Sequence, residues 1–283
     1  MNLLPADYLF IIERALAEDL GKQGDITTQA IFAEEIGTAT IYAKQSGVLA
    51  GLEIARQVFQ MVDSHCQCQA KWQDGRIFGI GDIILQMSGR VVSLLRAERT
   101  ALNFLGRLSG IATLTQKYVA KIRNNSHCQI LDTRKTTPGW RRLEKYAVAI
   151  GGGQNHRFGL FDMVLVKDNH ITAVGGITPA VKKIREYLHA NTITAAIEVE
   201  VTNLTELQEA IDLEVDRIML DNMPLSTMAA AVKICNHRIP LEASGNVSLE
   251  TVAEVAATGV EYISIGALTH SAPNCDFSMK IAR

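Results

Sequence analysis

Six short apolar runs, each ending in polar or small residues, recur through the second half of the sequence and constrain its fold more than any other feature. They alternate with segments of helical spacing that have readable ends: one helix is predicted to start at Thr178-Pro179, and another to start at Ser248 and end at Gly259. The last four runs begin about 22 residues apart, close to one strand plus one helix. The runs cover residues 129–132, 163–167, 196–201, 218–221, 240–244 and 262–266. This rhythm predicts an α/β fold with an irregular β/α barrel of six to seven strands, and an open doubly wound sheet is the alternative.

The first half of the sequence has a different pattern of apolar residues. Residues 5–20 carry apolar side chains at helical spacing, and short alternating runs separated by glycines follow at 38–43, 66–72 and 83–87. This pattern predicts a smaller mixed α/β sandwich domain. Two helices should come next, at about 93–105 and 111–122, with a break at Ser109-Gly110.

These patterns divide the chain into two domains. We predict an N-terminal sandwich domain over residues 1–108 and a β/α barrel catalytic domain over residues 109–271. A C-terminal tail, about 272–283, is expected to pack on the N-terminal domain.

Composition excludes several classes of partner. The formal charge is −2, so the chain has no overall positive field that would attract nucleic acid or an anionic membrane. No charged and then apolar leader opens the sequence, and its apolar stretches are shorter than a membrane span. Five cysteines without zinc-like spacing suit a reducing compartment. We therefore expect a cytoplasmic protein that acts on small molecules.

The ends of the apolar runs carry the candidate chemistry, because active sites of β/α barrels form at the carboxyl ends of the strands. One charged residue there is explained equally well by a solvated rim, but repetition at every run favours an active site. Small residues after the last runs also let backbone N–H groups approach a phosphate. The residues at these positions are Arg134 with Lys135, Lys167 with Asp168, Glu200, Asp221, Ser244 with Gly245, and Gly266.

Residues 132–170 hold seven lysine and arginine residues against four acidic ones. The planar guanidinium of arginine suits a carboxylate, and the point charge of lysine suits a phosphate. This segment therefore predicts an anion-binding active site whose substrates carry both groups.

Two glutamates, Glu198 and Glu200, stand two residues apart on one strand, so both point to the same face. With Asp221 on the next strand, they can hold Mg²⁺ through one or two carboxylates together with substrate phosphate oxygens. An internal network of glutamates and lysines explains the same pattern, so both interpretations stay open.

A series of motifs along nearly the whole chain resembles one family, the quinolinate phosphoribosyltransferases, also called nicotinate-nucleotide pyrophosphorylases. So many segments in the same order make the resemblance highly specific. The matching segments are residues 18–20, 24–28, 98–103, 108–113, Asp132-Thr133-Arg134-Lys135-Thr136-Thr137-Pro138-Gly139, 151–157, Lys167-Asp168-Asn169-His170, 198–201, 220–222 and 268–271.

The resemblance implies a pentosyltransferase reaction in NAD biosynthesis. The ring nitrogen of quinolinate attacks C1 of phosphoribosyl pyrophosphate, pyrophosphate leaves, and the 2-carboxylate is lost as CO₂, giving nicotinate mononucleotide. Mg²⁺ is the implied cofactor. The implied assembly is a homodimer, or a higher oligomer built from it, in which Arg99 reaches into the partner's site.

The resemblance also assigns residues to the two substrates. The quinolinate set is Arg99, Thr133, Arg134, His156, Arg157 and Lys167. The phosphoribosyl pyrophosphate set is Lys135, Glu200, Asp221, Ser244, Gly245, Asn246, Ile265, Gly266, Ala267 and His270. Lys135, Lys167, Glu200 and Asp221 are the implied catalytic residues, and Glu200 with Asp221 is the implied Mg²⁺ pair, mainly through substrate and water.

One position departs from the family pattern. The family usually has Ser-Gly-Gly where this chain has Ser244-Gly245-Asn246, and a side chain at 246 is unfavourable if the backbone needs a positive φ. Asparagine tolerates that conformation best after glycine, so we expect phosphate binding to survive. Three other functions compete with the main interpretation: a molybdenum-associated paralogue of the same fold, a Schiff-base aldolase using Lys167, and a sensor that binds phosphoribosyl pyrophosphate without consuming it.

Overall fold

The computed structural model of the protein describes residues 2–125 and 127–282. Its helices are α1 (Leu9–Leu20), α2 (Ile26–Ile31), α3 (Leu52–Val62), α4 (Val91–Lys121), α5 (Arg141–Ile150), α6 (Asp168–Val174), α7 (Ile177–Ala190), α8 (Leu204–Asp212), α9 (Leu225–Cys235), α10 (Val252–Ala257) and α11 (Ala267–His270). Its strands are β1 (Ile36–Ala43), β2 (Gly47–Val48), β3 (Gln67–Gln69), β4 (Ile77–Phe78), β5 (Ile83–Arg90), β6 (Gln129–Leu131), β7 (Val164–Val166), β8 (Ile197–Val201), β9 (Arg217–Asp221), β10 (Leu241–Ser244), β11 (Tyr262–Ser264) and β12 (Phe277–Ala282).

The chain forms two compact units, each built from segments that are separate in the sequence. The first unit comprises Met1–Gln116, Thr136–Gly152 and Ala267–Arg283, and the second comprises Lys117–Lys135 and Gly153–Gly266. The boundary predicted between residues 108 and 109 falls inside the first unit and inside α4.

The first unit contains a four-stranded antiparallel sheet with the order β12-β1-β5-β3. Strand β1 alternates between exposed and buried positions, as expected for a sheet with one face on a core. Its partner β12 comes from the other end of the chain and places Ala282 opposite Thr38. Strands β2 and β4 form a separate two-stranded sheet.

The second unit contains six parallel strands with the order β6-β11-β10-β9-β8-β7. From β7 to β11 each strand lies beside its neighbour in the chain, and the first strand, β6, lies beside the last, β11, which is the winding of a β/α barrel. Between β6 and β7 no pairing occurs in the part of the chain that the structure describes, so the sheet is open there. The predicted fold class is confirmed, and all six apolar runs form strands.

Helix α4 corrects one prediction, because it runs unbroken through Ser109 and Gly110. The Ser109 hydroxyl exchanges hydrogen bonds with the backbone N–H and carbonyl of Ala50. A Cβ on Gly110 would lie 2.1 Å from the carbonyl oxygen of Pro273. These two small residues therefore mark close packing against the helix and not its end.

Two helix starts also differ from prediction. Helix α7 begins at Ile177 with Gly176 at its N-cap, so Thr178 lies inside the first turn and donates to Glu209. Helix α10 begins at Val252, because the residues from Ser248 form a turn closed by the Ser248 N–H to the Thr251 hydroxyl. Among the residues described, no helix is both long enough and apolar enough to cross a membrane.

Candidate functional site

The carboxyl ends of the six parallel strands bring most of the predicted site residues to one edge of the second unit. These are Thr133, Arg134 and Lys135 after β6, Lys167 after β7, Glu200 in β8, Asp221 at the end of β9, Ser244, Gly245 and Asn246 at β10, and Ile265 with Gly266 after β11. Arg99, Ala267 and His270 belong to the first unit.

The turn that carries His156 and Arg157 is held by a buried carboxylate. Asp132 is fully buried and accepts from the Asn155 side-chain amide at 2.6 Å and from the His156 N–H at 3.0 Å. The Arg157 guanidinium donates to the carbonyl oxygen of Met163 at 3.1 Å. This anchoring fixes the base of two side chains in the predicted quinolinate set.

Arg134 and Arg157 place two guanidinium groups near each other. The pKa of Arg157 is lowered by burial first and then by the charge of Arg134, while Glu198 and Asp162 oppose the shift. In the turn before them, the Thr133 hydroxyl accepts from the Lys135 N–H at 3.0 Å. Like charges held together in this way make a site that suits a multiply charged anion.

Lys167 and Glu200 connect this cationic region to the carboxylates of later strands. The Lys167 Nζ lies 3.3 Å from Glu200 Oε2, and the Glu200 side chain is only 10% exposed. Burial raises the pKa of Glu200, Lys167 opposes that shift, and the charges of Asp221 and Asp168 raise it further. The predicted glutamate–lysine network is thus present at Glu200, and the surrounding negative charge also fits an additional cation.

The turn after β10 has a left-handed backbone, which is the conformation that makes a side chain at position 246 unfavourable. Gly245 has a φ of +102° and Asn246 a φ of +51°. The Asn246 side-chain amide donates to Asn222 Oδ1 at 3.0 Å, and the Asn222 amide donates to Asp221 Oδ2 at 2.9 Å. Asparagine at 246 therefore accepts the positive φ and adds a hydrogen-bonded link to the predicted catalytic Asp221.

After β11, the Ile265 N–H donates to the carbonyl oxygen of Leu131 at 2.9 Å. This bond occupies a backbone donor of the segment predicted to bind phosphate. In the first unit, His270 is exposed at the end of α11, with Nδ1 2.6 Å from the Ser271 hydroxyl. Arg99 is exposed on α4.

The largest feature that the sequence analysis missed is a buried cluster in the second unit. The His156 Nε2 lies 3.0 Å from Glu198 Oε2 and 3.5 Å from Glu242 Oε2, and both glutamates are fully buried. The Arg217 Nη1 lies 3.1 Å from the same Glu242 oxygen. Burial, as the largest cause, raises the pKa of Glu198 and of Glu242 to about 7. The available signal was a charged residue, Glu242, inside an otherwise apolar strand.

Two models of one family together match nearly the whole chain. Quinolinate phosphoribosyl transferase, N-terminal domain, matches residues 25–109, and the C-terminal domain of the same family matches residues 111–280. The chain is 46% identical to the probable nicotinate-nucleotide pyrophosphorylase (carboxylating) of Synechocystis, over 96% of this chain and 92% of that protein.

A tobacco relative and a solved structure extend this similarity. The chain is 43% identical to quinolinate phosphoribosyltransferase (decarboxylating) 2b, mitochondrial, of Nicotiana tabacum, over 96% of this chain and 81% of that protein. The crystal structure of nicotinate-nucleotide pyrophosphorylase from Ehrlichia chaffeensis superposes with a TM-score of 0.93 at 39% identity and covers 100% of both chains.

Proposed function

The chain belongs to the quinolinate phosphoribosyltransferase family, and from that membership we propose that it transfers the phosphoribosyl group of phosphoribosyl pyrophosphate to quinolinate with decarboxylation. The ring nitrogen forms a bond to C1 of the ribose, and the bond from C1 to pyrophosphate breaks. The bond from ring C2 to its carboxylate then breaks, CO₂ leaves, and C2 takes a proton. The product is nicotinate mononucleotide.

The observation that best supports this reaction is the contact between Lys167 and Glu200. It joins the region that carries Arg134 and Arg157 to the strand ends that carry Glu200 and Asp221. A dicarboxylate needs the first group, whereas a ribose that gains positive character needs carboxylates nearby. One edge of the sheet therefore offers complementary charge to both reactants.

The assignment of individual residues remains part of the proposal. Arginines and His156 orient the pyridine dicarboxylate, and positioning of this kind contributes up to about 7–11 kcal/mol to catalysis. Lys135 and the turns after β10 and β11 receive the phosphates. The Ile265 N–H already donates to the Leu131 carbonyl, so we do not assign that backbone donor to a phosphate.

We propose Mg²⁺ as the cofactor, held by Glu200 and Asp221 mainly through substrate oxygens and water. The negative charge of Asp221 and Asp168 around Glu200 supports this assignment. When bound, Mg²⁺ neutralises charge on the departing pyrophosphate. Within the chain, Lys167 balances part of the same carboxylate charge.

We also propose a homodimer in which Arg99 serves the partner's site, and a cytoplasmic location. The exposure of Arg99 on α4 is compatible with that role. The five cysteines, which all lie in the described part of the chain, form no disulfides, and this suits a reducing compartment. The tobacco relative, by contrast, is named as a mitochondrial protein.

Release of labelled CO₂ from carboxyl-labelled quinolinate tests the proposed function. We expect release only when phosphoribosyl pyrophosphate and Mg²⁺ are both present, and the Lys167→Met protein should lose about 100- to 1000-fold in rate. Lys182→Met is the matched control, because Lys182 is an exposed lysine of α7. Absence of CO₂ under all conditions would reject the proposal.

The same assay separates the competing functions. A sensor would bind phosphoribosyl pyrophosphate without releasing CO₂, and the molybdenum-associated paralogue would leave quinolinate unchanged. A Schiff-base aldolase would be trapped by borohydride on Lys167 with a carbonyl substrate. The ion pair between Lys167 and Glu200 argues against that chemistry, because it already engages the side-chain nitrogen that would have to attack the carbonyl.

A further inference from the structure

We propose that Glu198 and Glu242 are positioning residues of the quinolinate subsite: they fix the imidazole of His156, which in turn fixes the main chain of Arg157. This inference rests on the proposed function, because it takes quinolinate as the anion that Arg157 binds. It adds two buried glutamates and Arg217, none of which the family resemblance assigned to either substrate.

The His156 ring is constrained at both nitrogens. Its Nδ1 accepts the backbone N–H of Arg157 at 2.7 Å, so the neutral ring carries its hydrogen on Nε2. That Nε2 faces the carboxylates, 3.0 Å from Glu198 and 3.5 Å from Glu242. Carboxylates that contact the second nitrogen of a histidine fix both its tautomer and its orientation.

Arg217 explains how two carboxylates can be buried beside this ring. Its guanidinium lies 3.1 Å from Glu242 Oε2 and stacks 4.2 Å from the centre of the Tyr262 ring. A buried carboxylate without a partner is strongly unfavourable, and Arg217 supplies the balancing charge. The charged groups that act on the pair are therefore Arg217 from β9, Arg157 and His156 from the turn, and Glu200 from β8.

A divalent metal ion is the rival explanation of this cluster. One ligand atom from each of His156, Glu198 and Glu242 lies within 4.8 Å of the others, which is compatible with a metal site. However, the Glu242 oxygen that lies nearest to His156 also contacts Arg217. A guanidinium at that oxygen occupies the place where a second cation would bind, so the geometry favours positioning.

The turn that precedes β7 is held through both the main chain and the side chain of His156. Asp132 holds the main chain of His156 from one side, and the glutamate pair holds its ring from the other. If the ring is released, the Arg157 N–H loses its acceptor. The main chain of Arg157 is then no longer fixed, and neither is the position of its guanidinium group. Quinolinate binding should weaken, whereas the binding of phosphoribosyl pyrophosphate should not change.

The kinetics of Glu198 variants test whether quinolinate binding weakens while the binding of phosphoribosyl pyrophosphate stays the same. Glu198→Ala should raise the KM for quinolinate about 10- to 100-fold, while the KM for phosphoribosyl pyrophosphate stays within about twofold. Glu198→Gln should recover most of the loss, because its amide oxygen can lie against Nε2 as the carboxylate oxygen does. Glu186→Gln, an exposed glutamate of α7, is the matched control. Parallel changes in both KM values, or no change in either, would overturn the proposal.

Nitrogen NMR of the histidine rings gives a readout that needs no substrate. With the His156 signal assigned by comparison with His156→Gln, we expect the neutral tautomer with hydrogen on Nε2 in the wild type and a changed signal in Glu198→Gln. Hydrogen on Nδ1, or one equivalent of bound metal by elemental analysis, contradicts the proposal. If the wild type shows the expected tautomer but releases no CO₂, the proposed function fails independently of the positioning role.

Discussion

Asn246 is the residue at which this chain departs from the family pattern, and its backbone explains why asparagine is tolerated there. Its φ of +51° is unfavourable for most side chains by about 1–2 kcal/mol, and its amide donates to Asn222. We predict that Asn246→Ala lowers the free energy of unfolding by about 1–2 kcal/mol, because it loses the hydrogen bond and keeps the strain.

Asn246→Gly is the matched comparison, because glycine loses the same hydrogen bond but adopts the positive φ freely. Its free energy of unfolding should stay within about 1 kcal/mol of the wild type in urea denaturation. Equal losses for the two variants would show that backbone strain at 246 is not what asparagine relieves.

Asn246 and Lys167 could be identified from the sequence. Asn246 replaces the glycine that the family usually has there, and Lys167 is a charged residue at the end of an apolar run. The sequence did not reveal Glu242, because strands of a parallel sheet are buried on both faces and one glutamate among apolar neighbours gives no sign of its partner. The partners His156 and Arg217 come from other segments, and only the fold brings them to Glu242. Buried charge networks of this kind depend on tertiary neighbours that no local pattern specifies.

At the scale of elements, Asp63 connects the end of α3 to the start of α4. It accepts from the Ser93 hydroxyl at 2.8 Å, from the His65 N–H at 3.0 Å and from the Arg90 guanidinium at 3.1 Å. The bond from Ser93 is the largest of the causes that lower the pKa of Asp63 to about 2. Because the folded pKa lies below the unfolded value, this stabilisation is complete above about pH 4 and is lost as the pH falls towards 2.

We predict that Asp63→Asn lowers the free energy of unfolding at pH 7 by about 1–3 kcal/mol, because hydrogen bonds to a charged acceptor are lost. It should also reduce the loss of stability between about pH 4 and pH 2, as measured by urea denaturation at several pH values. Asp19→Asn on α1, an exposed aspartate, serves as the control and should change neither quantity. An unchanged acid dependence in Asp63→Asn would contradict this account.

The elements themselves were largely predictable, since six apolar runs at regular spacing became six parallel strands. The break predicted in α4 was wrong, because glycine and serine signal both helix ends and close packing. Here Gly110 lies against the Pro273 backbone, and a Cβ would collide with it. The residues around Gly110 give no indication of the contact with Pro273. The local pattern therefore favoured a turn at a position where the helix is continuous.

At the scale of the whole molecule, both ends of the chain contribute to one sheet. Strand β12 pairs with β1, and residues 136–152 join the same unit through Glu144 of α5, which binds Arg107 of α4 at 2.7 Å. Glu144 also accepts from the Thr137 N–H, so it holds the chain just after the predicted Lys135. Composition and periodicity along the chain predict the elements, but the assignment of separate segments to one unit depends on such pairings.

The proposed dimer can be tested by complementation, because an active site that is shared between two chains can be restored by combining two inactive variants. If Arg99 serves the partner's site, Arg99→Ala and Lys167→Ala should each be inactive. In an equal mixture formed by coexpression, half of the dimers combine the two chains, and each of those has one intact site. The mixture should therefore recover about one quarter of wild-type CO₂ release.

Lys167→Ala coexpressed with Arg134→Ala is the matched control, because both residues lie at strand ends of the same unit and belong to one chain's site. That mixture should stay inactive, since every site lacks one of the two cations. Recovery in the control would show that these strand ends do not act together. No recovery with Arg99→Ala would place Arg99 in its own chain's site or in a structural role beside Arg96 on the same face of α4.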